Sequence, residues 1–224
     1  MSLLMLAAAC GEGPRTADHA SRASTDSADT RPVVLFLGTS LTAGLGLDPS
    51  QAYPALIQQK LDSAGMAYRV VNAGVSGETS SDARARIGWL LRMNPAVLVV
   101  ETGANDGLRG LSVDALRANL DTMLAVAGRH QPPPRLVVIG MRAPPNLGSR
   151  YAEAFREVFP EEAAAHGAAL VPFLLDGVGG IDSLNQGDGI HPTAAGQRVL
   201  AETVWEVLEG VISRRSPVVG SPSP

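Results

Sequence analysis

The sequence predicts an α/β domain built on a five-stranded parallel sheet. Two observations carry this. Short β-branched runs that are apolar throughout alternate with longer stretches of helical period, and glycine-containing turns close several of the runs. Strands apolar on both faces, each followed by a helix, require a sheet covered on both sides. In order, Val33 to Leu37 is the first strand. Gln51 to Ser63 is a helix, with Tyr53, Leu56, Ile57 and Leu61 in period. Tyr68 to Val71 is the second strand, and Ser81 to Met93 the second helix, with Ile87, Leu90 and Leu91 on one face. Val97 to Glu101 is the third strand, followed by a helix over Val113 to Gly128. Leu136 to Ile139 is the fourth strand, and Arg150 to Ala165 a helix that Pro160 is expected to kink or split. A short fifth strand, Ala169 to Val171, and a last helix, Ala194 to Leu208, complete the pattern.

The 224 residues suit one domain with extended ends, long enough to bury a sizeable core. The domain is expected over 32–212. Residues 11–31, rich in Ser, Thr, Ala and Asp, read as a disordered tether, and 213–224, with its Pro/Ser run from Ser216, as a disordered tail. A net charge of -4 without a dense basic stripe speaks against nucleic acid as a partner. The aromatic share of 4% speaks against carbohydrate or base-stacking platforms. One cysteine, Cys10, rules out a disulfide framework within the chain. It follows Leu3-Leu4-Met5-Leu6-Ala7-Ala8-Ala9 and precedes Gly11, like the end of a bacterial lipoprotein signal, although no Lys or Arg precedes the run and the run is short. Residues 1–10 are therefore read as a lipoprotein signal, Cys10 as a membrane tether, and the location as periplasmic or cell-envelope. No segment reaches the roughly 20 apolar residues of a membrane span.

Topology places four pieces on one rim. In open sheets of this type, ligands bind beyond the carboxyl ends of the strands. Gly38-Thr39-Ser40-Leu41 follows the first strand, and Asn72 to Thr79 the second. Gly103-Ala104-Asn105-Asp106-Gly107 follows the third, and Asp188-Gly189-Ile190-His191-Pro192 lies in the long loop after the fifth. Alone, Ser40 reads as a helix N-cap. The glycines read as a strand-to-helix turn with Thr79 or Ser80 as cap, and Asn-Asp-Gly as an ordinary turn. Asp188 and His191 are the sharpest piece. A basic imidazole needs a carboxylate on Nδ1 so that Nε2 faces a serine, and three residues of separation in a turn bring the two side chains together. Pro192 would then open the next helix. The Asn105 amide and the Gly77 and Ser40 N–H groups are donors suited to an oxyanion. Asp106 is expected to shape its loop. His19, His130 and His166 read as incidental, and Trp89 and Trp205 as packing residues. Leu45, Leu47, Leu108 and the stretch Met141 to Leu147 are candidate pocket walls.

Taken jointly, the four pieces resemble the four motif blocks of the SGNH (GDSL-type) hydrolases, in the family's order and over nearly all of Val33 to Leu208. The likeness is nearest to the branch containing the bacterial periplasmic thioesterase, arylesterase and lysophospholipase enzyme. The resemblance implies a flavodoxin-like three-layer α/β/α sandwich and hydrolysis of acyl esters, from short-chain and aryl esters to lysophospholipids or acyl thioesters, with no cofactor and no metal. It implies Ser40 as nucleophile, His191 as general base and Asp188 as its partner. Gly77 and Asn105 would be oxyanion donors beside the Ser40 N–H. Thr39 stands where the family name has Asp, which leaves open how a carboxylate supports the serine loop. Two rival readings remain. One is a flavodoxin-like binding protein that cradles a phosphate after the first strand, although neither a Gly-x-x-x-x-Gly-Lys-Ser/Thr nor a Gly-x-Gly-x-x-Gly pattern is present. The other is a non-catalytic surface lipoprotein.

Overall fold

In the computed structural model, residues 29–213 are described. The expected signal over 1–10 with Cys10, His19, most of the expected tether and all of the expected tail but Ser213 therefore lie outside the described residues. Five strands form one sheet in the order β2-β1-β3-β4-β5, with every pairing parallel. They are β1 (Val33–Gly38), β2 (Arg69–Gly74), β3 (Val97–Glu101), β4 (Arg135–Ile139) and β5 (Ala169–Val171). The two strands buried at every residue, β1 and β3, pair with each other at the middle of the sheet. Reversal of strand order at β1 and β3 opens a crevice at their carboxyl ends, where such sheets bind ligands.

The helices are α1 (Ser40–Ala43), α2 (Tyr53–Ser63), α3 (Ser80–Leu90), α4 (Ala104–Leu108), α5 (Val113–Gly128), α6 (Ser149–Ala165) and α7 (Ala194–Ser213). α2 packs on α7, while α3 packs on α5 and α5 on α6. This is the three-layer α/β/α arrangement. The core includes Phe36, Ile57, Leu98, Leu120, Phe155 and Leu208, all without solvent exposure.

Several boundaries differ from the expectation. β2 runs on to Gly74 because its pairing with β1 continues to the Gly38–Gly74 step. Ser213 belongs to α7 rather than to a tail, because Val211 and Ile212 are still buried. Pro160 does not split α6. It sits on the exposed side, where the carbonyl it displaces can turn to water. Pro192 does not open α7 but bridges to Asn185, two residues before the helix begins. Trp89 is exposed, since α3 buries Ala83, Ile87 and Leu90 instead.

Candidate active site

Ser40 is the first residue of α1, separated from the end of β1 by Thr39 alone. The turn is tight enough to require glycine at 38: a Cβ there would lie 2.0 Å from Thr42 Oγ1 and 2.9 Å from Glu101 Oε2. Thr39 occupies the N-cap but makes no side-chain capping bond. Its hydroxyl points to the Glu101 carboxylate instead, 3.0 Å away. Three further contacts fix the backbone of this turn. Gln197 of α7 donates to Leu41 O at 3.2 Å, Asn72 of β2 donates to Thr42 O at 2.8 Å, and Arg86 of α3 donates to Gly38 O at 3.3 Å.

Across the crevice, the loop before α7 presents His191. Its Nε2 lies 2.9 Å from Ser40 Oγ, and its Nδ1 lies 2.6 Å from Asp188 Oδ2. Asp188 Oδ1 accepts the backbone N–H groups of Ile190 and His191 at 2.9 and 3.0 Å. The four-residue piece thus closes on itself, and both ring and carboxylate are held. The hydrogen bond to the imidazole, followed by the two backbone donors, holds the Asp188 carboxyl well below its usual range. An ionised acceptor on Nδ1 fixes the proton there, so the Nε2 lone pair faces the serine. Gln186 anchors the loop to the serine side. Its backbone N–H donates to His191 O at 2.7 Å, and its amide donates to Leu45 O at 2.8 Å.

Asn105 is the second residue of α4, beyond β3. One proton of its amide goes to Glu78 O at 2.9 Å, leaving the other for a ligand. Gly77, at φ +81°, sits in the loop before α3, where Arg109 donates to its carbonyl at 3.0 Å. That loop is tied to the serine turn by the Val75 N–H, which donates to Gly38 O at 2.8 Å. Among the described residues, the N–H groups of Ser40 and Gly77 find no acceptor in the protein. The neighbouring Asp106 is buried and accepts from Ser80 N and Ser80 Oγ at 2.8 and 2.6 Å, which joins α4 to α3. Thr79 caps α3 reciprocally with Asp82.

Ser40, Asn105 and His191 line one cavity of about 220 Å³, with apolar walls that include Leu41, Leu108, Met141, Leu175 and Ile190. Leu45 and Leu47 are not among its walls. A larger groove of about 610 Å³ between α2 and α7 contains no imidazole. Asp121, Glu162 and His166 bring potential metal-ligand atoms within 4.8 Å of one another, but His166 already pairs with Asp121 at 2.8 Å and Arg117 with Glu162, and none of the three lines the serine cavity. Sequence reasoning missed Gln186, Gln197 and Arg86, and it assigned no role of their own to Asn72 and Glu101. A polar residue within an otherwise apolar strand was the signal available for Glu101.

The chain is similar to named proteins over most of its length. It is 45% identical to Esterase TesA of Pseudomonas aeruginosa over 180 residues, 80% of this chain and 89% of that protein. It is 36% identical to Thioesterase 1/protease 1/lysophospholipase L1 of Escherichia coli K12 over 191 residues, 85% of this chain and 88% of that protein. The crystal structure of TesA superposes with a TM-score of 0.76 at 45% identity, covering 80% of this chain and 99% of that one. That of the psychrotrophic esterase EstA from Pseudoalteromonas sp., inhibited by monoethylphosphonate, superposes with a TM-score of 0.75 at 30% identity, covering 80% and 97%. The GDSL-like Lipase/Acylhydrolase family model matches residues 36–199, and with that match the chain belongs to this family.

Proposed function

We propose that the protein is a serine esterase that cleaves acyl esters, aryl esters and acyl thioesters through an acyl-enzyme. The observation that carries this is the unbroken relay from Asp188 through His191 to Ser40, at 2.6 and 2.9 Å. His191 Nε2 takes the Ser40 proton as Oγ attacks the acyl carbonyl. The imidazolium is stabilised by Asp188, which stays ionised. The oxyanion is held by the N–H groups of Ser40 and Gly77 and by the free amide proton of Asn105. His191 then gives its proton to the departing alkoxide or thiolate. Water, activated by the same imidazole, hydrolyses the acyl-serine and returns the proton. The names of the relatives support ester and thioester substrates, and the apolar cavity supports an acyl chain seated beside Ser40.

The test is Ser40→Ala. The expected outcome is complete loss of p-nitrophenyl ester hydrolysis and of fluorophosphonate labelling, with an unchanged melting temperature. Residual labelling or wild-type turnover would refute the assignment. A series of p-nitrophenyl esters of increasing chain length then measures the cavity. A cell-envelope location with lipid at Cys10 rests on residues 3–11 of the sequence alone. Its test is labelled-fatty-acid incorporation that Cys10→Ser abolishes.

A further inference from the structure

We propose that Glu101, buried at the end of β3 beneath the serine turn, is a positioning residue that sets the Ser40 hydroxyl and N–H for attack. It rests on the esterase reading above. Glu101 is 1% exposed, and no step of the mechanism uses it. Burying a carboxyl group in an apolar sheet is costly unless its oxygens are satisfied. Here every partner comes from the turn that carries Ser40. Oε2 accepts the Thr39 N–H at 2.7 Å and the Thr42 hydroxyl at 2.8 Å. The Thr39 hydroxyl lies 3.0 Å from both oxygens. Thr42 Oγ1 is in turn 2.7 Å from the buried Tyr53 hydroxyl, which continues the chain of donors into α2.

The contacts bracket the nucleophile. Glu101 holds the residue before Ser40 by its backbone and the residue two after it by its side chain. The position of Ser40 Oγ relative to His191 Nε2, and the direction of the Ser40 N–H, follow from where those neighbours sit. Among the described residues, no other carboxylate makes a hydrogen bond to residues 38–44. Thr39 stands where the family's motif has Asp, so the acid that supports the turn comes from the adjacent strand, through the hydroxyls of Thr39 and Thr42. A misplacement of about 1 Å at such a site can cost about 10² in rate.

The shape of the contact predicts which replacement is tolerated. A glutamine fits with its carbonyl toward Thr39 N–H and Thr42 and its amide toward the Thr39 oxygen, which can accept. An alanine leaves Thr39 N–H and both hydroxyls without their acceptor. The experiment compares wild type, Glu101→Ala, Glu101→Gln and Thr42→Val. Turnover is expressed per active site titrated with a fluorophosphonate, KM is measured on p-nitrophenyl butyrate, and melting temperature is recorded alongside. The expected result is a fall of about 10² in kcat for Glu101→Ala with KM unchanged, recovery to within about tenfold in Glu101→Gln, and a smaller fall, of about fivefold or more, in Thr42→Val, which removes the hydroxyl joining Glu101 to Tyr53. A lowered melting temperature with kcat per site equal to wild type would overturn the proposal, since Glu101 would then support only the fold. If Glu101→Ala yields no titratable protein, Thr42→Val decides: unchanged kcat per site overturns it. Failure of the esterase reading is separate, because wild-type Ser40 would then not label at all.

Discussion

At the residue scale, the serine, the imidazole and the carboxylate each have one geometry that works, and each is held by contacts that can be removed singly. Asp188→Asn keeps the size of the side chain but places a donor where Nδ1–H needs an acceptor. The imidazole then turns its proton toward Ser40, and kcat should fall by about 10⁴ with little change in KM. Asn105→Ala removes one of the donors proposed for the oxyanion and should cost about 10²–10³ in kcat; steady-state kinetics on one aryl ester check both. Gly38→Ala drives a methyl into Thr42 Oγ1 and Glu101 Oε2. It should lower stability by about 1–3 kcal/mol in urea unfolding and reduce kcat as the turn moves. Ser40, Gly77, Asn105, Asp188 and His191 were legible as candidates because each lies in a short local pattern, and the structure brings Ser40, His191 and Asp188 within hydrogen-bond reach. Glu101, Gln197 and Asn72 were not. Their partners are fixed by which strand and helix lie beside β1, and that ordering is absent from any local pattern.

At the element scale, α3 is the part that links the Gly77 loop to the serine turn. Arg86 forks onto the Glu78 carboxylate, with Nη2 at 2.6 Å from Oε2, and the same nitrogen lies 3.3 Å from Gly38 O. The Glu78 side chain is only 4% exposed, whereas Arg86 keeps 20%. Arg86→Ala leaves a buried carboxylate unpaired. The cost should be about 3 kcal/mol, the low end for a buried pair because the guanidinium is partly in water. The double variant with Glu78→Ala should recover much of it, and urea unfolding of all four proteins closes the cycle. A fork of two bonds is what a lysine cannot reproduce, so Arg86→Lys should retain the fold and still lose turnover. The type and order of the five strands and the five longer helices were readable from period and composition, whereas the short α1 and α4 were not among the expected elements. The ends were not, because tertiary contact decides them: β1 carries β2 on to Gly74, and burial of Val211 and Ile212 carries α7 to Ser213. Trp89 misled because a large aromatic ring suggests burial, while the register of α3 turns it to solvent, where it lies under Arg92.

At the scale of the whole molecule, the crevice where strand order reverses is also where the sheet buries its acid, and this links global stability to pH. Burial pushes the Glu101 carboxyl above its ordinary value, against the opposing effect of the donors from Thr39 and Thr42. The folded protein therefore holds a proton that the unfolded chain releases above about pH 4.3. Where the native state binds more protons, unfolding free energy falls as pH rises. The stability associated with protonated Glu101 is thus complete below the ordinary glutamate range and is lost as pH climbs through its raised value. Tyr53, the other titratable group against it, is pushed well above its usual range by its own burial and stays neutral throughout this window. Asp188, Asp82 and Asp48 are held low and act in the opposite sense as pH falls below about 5, but they are common to wild type and variant. The difference in melting temperature between wild type and Glu101→Gln isolates the buried acid. It should favour wild type most near pH 4 and shrink steadily as pH is raised toward neutrality. Melting curves that run parallel across that range would show that the carboxyl does not change its protonation on unfolding.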